Sequence, residues 1–251
     1  MRQVLATIDT SPTLTAVLVG ARSIAELFDA TAIALHVSED GSEPARRGAA
    51  DAGIELHEAT GTPIETIVRA AEHPDVVAVV LGARGLHGAT LPAGNTAVEV
   101  ITRVHKPVAV VPPDCMPGPS IARVLTPLEG SEESSQAIAD TMGLVDHRDV
   151  EILVLHVHTP EAIPPFQDQP HHQIPAWERE FAARFVTAPH NHVRIIQSVG
   201  APADRILAAA RDDEADLVVL GWSQALSPGR AHVVREALAH SPVPVLLVPT
   251  A

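Results

Sequence analysis

The run VVLGARGLHGATLPAGNTAVEVITRVHKPVAVVP, Val79 to Pro112, reads as strand, glycine-rich loop, helix and strand in succession. Val79, Val80 and Leu81 are consecutive apolar residues without polar alternation, the pattern of a strand covered on both faces. Gly82, Gly85 and Gly88 follow at three-residue intervals, and Pro92 and Gly94 lead into a helical pattern. Ala97, Val98, Ile101 and Val104 fall at i, i+1, i+4 and i+7, the apolar stripe of that helix. Lys106-Pro107 ends it, and Val108 to Val111 is a second buried strand. A loop between the carboxyl end of a strand and the amino end of a helix can bring bare backbone N–H groups up to phosphate oxygens. Glycine allows that approach because it carries no Cβ. The run therefore predicts an α/β fold and marks the place where a small ligand would bind.

Working toward the amino terminus, the same alternation continues. Gln3 to Ile8 is a short apolar strand, and Asp9-Thr10-Ser11-Pro12 is a turn able to cap the helix predicted from Thr13 to Phe28. Thr31 to Val37 is the next strand, Glu39 to Ala52 a weak helix, and Ile54 to Thr60 an alternating edge strand. Gly61-Thr62-Pro63 opens a helix that ends near Glu72. Five strands alternating with helices predict a doubly wound unit with a parallel sheet and helices on both faces.

Toward the carboxyl terminus the pattern restarts. DCMPGPS, Asp114 to Ser120, is a Pro/Gly linker. Asp9 and Glu129 lie 120 positions apart, as do His36 and His156; Gly61 and Gly200 lie 139 apart, as do Gly82 and Gly221. The second copy therefore holds about nineteen more residues, among them the Pro-rich run Ile163 to Pro175. Two copies of one unit give two tandem domains, residues 1–113 and 121–251, joined by the linker 114–120. In such sheets ligands sit outside the carboxyl ends of the strands. Asp9, Val37 and the loop after Gly82 all occupy such ends and can line one crevice.

Composition narrows the function classes. Hydrophobic residues make up 46% and charged residues 19%, the balance of a globular chain. The net charge is −14, and Lys106 is the only lysine, which argues against nucleic acid as a partner. Aromatics are 2%, so stacking platforms for bases are lacking as well. Cys115 is alone and can form no internal disulfide, in keeping with the cytoplasm. No apolar run approaches the length of a membrane span, and no secretory signal is visible, so no membrane partner is expected. GxxxxGK(S/T), GxSxG and HExxH are all absent, and no catalytic residues stand out. Asp168, His171, His172, His190 and His192 flank the second-half insertion, but their spacing matches no metal-ligand pattern, and no metal site is expected from them.

The ordered marks IDTS and LEGS, LHV twice, GTP and GAP, and the glycine loop resemble the universal stress protein family, as a tandem two-domain member. The family pattern has Asp-Gly-Ser after the first strand, Leu-His-Val in the second, Gly-x-Pro before the third helix, and G-x2-G-x9-G-S/T before the last. The resemblance spans nearly the whole chain. It implies a five-stranded sheet of order 3-2-1-4-5 in each domain and edge-to-edge pairing of the two final strands, within the chain or in a homodimer. It also implies binding of ATP or a related adenine nucleotide, with no metal beyond a Mg ion carried by the nucleotide. Carried over residue by residue, Asp9 matches the acid that faces the adenosine portion and Val37 the residue whose backbone approaches the base. Gly82 and Gly85 match the first two loop glycines, and Gly94 and Asn95 stand at Gly-Ser/Thr, with the Thr96 hydroxyl alongside. The spacer from Gly85 to Gly94 is eight residues, one short of the pattern. In the second half Gln224 replaces the second glycine, Trp222 stands inside the loop, Glu129 replaces Asp, and Arg230 follows Gly229. Domain 1 is thus the expected nucleotide site and domain 2 a degenerate partner. Two rivals differ in class. One is a scaffold that binds no nucleotide and acts through dimerisation and protein partners; the other is a slow ATP hydrolase, for which no residue offers itself as the base.

Overall fold

The computed structural model describes residues 1–38, 42–83, 95–128, 136, 149–158, 192–225 and 231–250. In the first half, β1 (Gln3–Ile8), α1 (Leu14–Leu27), β2 (Thr31–Val37), α2 (Glu43–Ala52) and β3 (Glu55–Ala59) follow one another. They lead to α3 (Pro63–Ala71), β4 (Val76–Gly82), α4 (Asn95–Arg103) and β5 (Val108–Val111). The second half contributes β6 (Arg123–Pro127), β7 (Glu151–His158), β8 (Val193–Val199), α5 (Pro202–Asp212), β9 (Leu217–Trp222), α6 (His232–His240) and β10 (Val245–Pro249). The Pro-rich run from Ile163 to Pro175, with Asp168, His171 and His172, lies outside the described residues, as does His190, whereas His192 is described.

All ten strands form one sheet, ordered β3-β2-β1-β4-β5-β10-β9-β6-β7-β8. Each half keeps the order 3-2-1-4-5 and is parallel throughout. The halves join through an antiparallel pair, Val245 opposite Val110, Leu246 opposite Ala109 and Leu247 opposite Val108. Both strands are almost wholly apolar and buried, so each would be an adhesive edge if left unpaired. The final strands do pair within the chain, and the sheet is related to itself by an approximate two-fold at that seam.

Side-chain alternation divides the core into two layers, one on each face of the sheet. Val4, Ala6 and Ile8 turn toward α1, in a cluster that continues through Val124, Ile152, Val219 and Leu246 of the second half. Leu5, Val79 and Leu81 turn the other way, toward α3 and α4, in a layer that runs on through Leu125, Val218 and Leu247. Both layers cross the seam. Helix boundaries follow the sequence reading, with one correction at α1. Asp9 does not cap that helix; Thr13 holds the N-cap position with no side-chain cap bond, and Asp9 instead folds the turn before it. In α4 the buried face is Ala97, Val100 and Ile101, with Val104 just beyond, while Val98 is only half-buried. Val100 was not on the predicted stripe; helix packing against α3 rotates the face toward it.

Candidate functional site

The carboxyl ends of β1, β2 and β4 meet the amino end of α4 around a cavity of about 390 Å³. Its polar wall is Thr7, Asp9, Thr13 and Thr96, and Val37 and Gly82 close the sides. Ile67 of α3 and Val100 of α4 form the apolar floor. Of the residues picked out from sequence, Asp9, Val37, Gly82 and Thr96 are brought together here from four separate elements. Asn95 is the first residue of α4. Gly85 and Gly94 lie outside the described residues.

Each wall has a local cause. The Asp9 Oδ1 accepts the Ser11 backbone N–H at 2.8 Å, an Asx turn that carries the chain from β1 toward α1. The Ser11 and Thr13 hydroxyls are 2.8 Å apart and hydrogen-bonded, which holds Thr13 over the crevice. His36, buried in β2, donates its Nδ1–H to the Ile8 carbonyl at 2.9 Å. That bond satisfies a buried acceptor where β1 turns into the site, and it assigns the imidazole tautomer. The histidine of the LHV run therefore has a structural role, as its second-half counterpart does: His156 Nδ1 bonds the Leu128 carbonyl at 3.2 Å.

Gly82 has a packing reason for being glycine. A Cβ there would lie 3.0 Å from the Thr13 Oγ1 and 3.2 Å from the Val17 Cγ2, so the strand end and α1 approach only because no side chain intervenes. Beyond it, the Ala83 N–H is tied to the Val111 carbonyl at 2.8 Å. The α4 wall is held by ion pairing, with both Arg103 guanidinium N–H groups donating to the Glu65 carboxylate of α3 at 2.8 and 3.0 Å. Lys106 is not a ligand-binding charge. Its ammonium donates to the His73 and Val76 carbonyls at 2.6 and 2.7 Å, and burial pulls its pKa down from the usual lysine value.

The second half has a counterpart cavity of about 540 Å³ lined by Pro127, Leu128, Val157, Gly221, Trp222 and Val233. Pro127 lies 120 positions after Thr7, and the helices α4 and α6 begin 137 positions apart, which places Val233 at Thr96; these two positions are polar in the first cavity and apolar in the second, where Ser223, His232 and Thr250 supply the polar lining. Trp222 is buried at the end of β9. Sequence reading missed Thr7 and Thr13 as lining residues. Thr7 was legible only as one strand position among six, and its face toward the cavity is set by strand register. Among the described residues no group of three His, Cys, Asp or Glu side chains lies close enough to hold a metal ion, and no helix is long and apolar enough to cross a membrane.

No curated protein sequence matches the chain. Among solved structures, it is similar to a universal stress protein from Archaeoglobus fulgidus DSM 4304, with 18% identity and a TM-score of 0.64, over 99% of this chain and 96% of that one. It is likewise similar to a functionally unknown protein from Pseudomonas aeruginosa PAO1, with 14% identity and a TM-score of 0.64, over 100% of this chain and 93% of that one. At such identities the likeness speaks to fold. The universal stress protein family itself matches residues 44–112 and 120–249, one segment in each half, leaving Asp9 and Val37 outside. With the repeated 3-2-1-4-5 sheet and this double match, the chain belongs to the universal stress protein family, as a tandem member carrying two copies of its fold.

Proposed function

We propose that the chain binds ATP or a related adenine nucleotide in the cavity of its first half, one molecule per chain. The observation that carries the reading is the convergence of Asp9, Val37, Gly82 and Thr96 on one cavity from four elements distant in sequence. A volume of about 390 Å³ lies in the range of small-ligand sites. The residues fit the ligand's chemistry. The Asp9 carboxylate accepts ribose hydroxyls, the extended backbone at Val37 offers donor and acceptor to a base edge, and the apolar floor takes a flat ring. Thr96, in the first turn of α4, supplies a hydroxyl where the helix dipole favours phosphate. The signal of binding passes to protein partners through the shared sheet. Among the described lining residues Asp9 is the only ionisable side chain, with no second acid or histidine beside it, and the reading is therefore one of binding. Replacement of Thr7 and Thr96 by Pro127 and Val233 supports the first half as the site.

Titration calorimetry of the purified chain with ATP tests this. One equivalent of heat is expected, and Asp9→Ala should weaken affinity by about tenfold or more through loss of a charged acceptor. Absence of heat at millimolar ATP ends the reading and leaves the scaffold alternative.

A further inference from the structure

We infer that Gln224 is a latch by which the second half positions α4, the helix whose amino end walls the first-half cavity; the consequence for ligand affinity rests on the function proposed above. Gln224 follows β9 and reaches across the seam. Its Nε2–H donates to the Val104 carbonyl at 2.8 Å, and its Oε1 accepts from the His105 Nδ1–H at 3.2 Å. Val104 and His105 directly follow α4, where helix carbonyls lack intrahelical partners. One side chain thus uses both its donor and its acceptor on the same turn of the other half. Rotation or sliding of α4 would break both bonds together, and Thr96, Ala97 and Val100 of that helix line the cavity.

Two features indicate that this contact is built rather than incidental. Gln224 has φ +55°, the left-handed region where non-glycine residues are uncommon. The repeat places it opposite Gly85, 139 positions earlier, so a non-glycine residue is kept in a glycine-like conformation to aim an amide at the first half. The contact also runs in one direction. Gly85 has no side chain with which to reciprocate. The second-half position equivalent to Val104 is Ser241, 137 residues on by the α4-to-α6 spacing, and its side chain is engaged locally, the Oγ–H donating to the Val243 carbonyl at 2.7 Å. The half whose glycine pattern has eroded therefore supports the half that retains it. Loss of the second glycine is an exchange of roles, from loop backbone to inter-half clamp.

The test uses the full chain carrying Gln224→Gly, which keeps the backbone conformation accessible while deleting both bonds, with exposed Ser223→Ala as control. Amide hydrogen exchange of residues 96–106 is measured without ligand, alongside the thermal midpoint and ATP affinity. In the Gln224→Gly chain, exchange in that segment should quicken about tenfold while α1 and α3 stay unchanged, and ATP affinity should fall about threefold to tenfold. Gln224→Glu, which removes only the donor to Val104, should give an intermediate result. Unchanged exchange in α4 overturns the latch. Faster exchange with unaltered ATP affinity overturns the link to the cavity. If the unmodified chain gives no ATP heat, the nucleotide reading fails on its own, and exchange in α4 still decides whether Gln224 positions the helix.

Discussion

His36 shows how a residue can look like chemistry and serve geometry. A strand histidine between two cavity-lining residues, Leu35 and Val37, invites a catalytic role, yet its side chain does not line the cavity, its Nδ1–H is committed to the Ile8 carbonyl and the ring is buried. Replacing it with alanine leaves that acceptor unsatisfied and opens space in the packing. His36→Ala should destabilise the chain by about 2–4 kcal/mol, read by urea unfolding. A change below half a kcal/mol would mean the bond contributes nothing. Gly82 makes a related point. A methyl group there would press on Thr13 and Val17, so Gly82→Ala should cost about 1–3 kcal/mol in stability. If Gly82 serves only this packing, ATP affinity measured well below the melting temperature should be little changed, in contrast to Asp9→Ala. Cys115 is the opposite case, a residue whose type suggests reactivity that its surroundings remove. Burial pushes its thiol up to about 12, so at neutral pH it is a small apolar filler of the segment after β5.

At the scale of elements, ion pairs tie strands to helices at their margins. Glu58 on the edge strand β3 accepts both Arg46 guanidinium N–H groups from α2, and the Ser42 hydroxyl as well. Glu65 joins α3 to α4 through Arg103. Glu151 at the start of β7 accepts from Arg123 of β6 and Arg194 of β8, crossing three strands. Hydrogen bonds from these arginines hold all three carboxylates below the ordinary value of 4.5. A carboxylate with a depressed pKa in the folded state is protonated more readily when unfolded. Its stabilisation is complete above about pH 4.5 and is lost as pH falls through the lower folded value. His156 acts in the same direction at higher pH. Burial lowers its pKa from 6.5, so protonation below that value favours the unfolded chain. The melting temperature should therefore be flat near pH 8, decline gently below about pH 6.5, and fall steeply below about pH 4.5. His156→Gln should flatten the first decline, and Glu151→Gln should soften the second. A melting temperature that rises on acidification would refute the assignment. These pairs are partly or largely exposed, so salt should also weaken them.

At the scale of the molecule, the seam between β5 and β10 sets the behaviour of the whole. Both apolar layers pass through it, so the two halves share packing as well as backbone hydrogen bonds. Thermal unfolding of the full chain should be a single calorimetric transition, and two resolved peaks would show that the halves melt independently. We propose that the linker at residues 114–120 marks the boundary between units that came from one ancestral fold. A chain ending at residue 113 would expose the edge of Val108–Val111, and it should dimerise or aggregate where the full chain does not use that edge. Sedimentation velocity distinguishes these outcomes. A monodisperse monomer of the short chain would mean the seam is not needed to cover β5. The same seam gives Gln224 its reach to α4, so the inter-half clamp exists only because the chain carries its own partner.

Read from sequence, strands such as Val79 to Leu81 and the repeat offsets of 120 and 139 were enough to determine an α/β chain made twice. Continuous apolar runs, glycine punctuation and equal spacing are local signals, and they survive without knowledge of neighbours. The 3-2-1-4-5 order came from resemblance, and the coordinates agree with it. That Asp9, Val37, Gly82 and Thr96 would meet at one cavity was legible because each sits at a strand's carboxyl end or a helix's amino end, which a doubly wound sheet brings to one side. Thr7, Thr13 and the buried face of α4 were not, because they depend on strand register and helix rotation, which packing decides. The bond from His36 to Ile8 and the clamp from Gln224 to Val104 were also hidden. Each joins groups far apart in the chain, and only the tertiary structure brings donor and acceptor within reach.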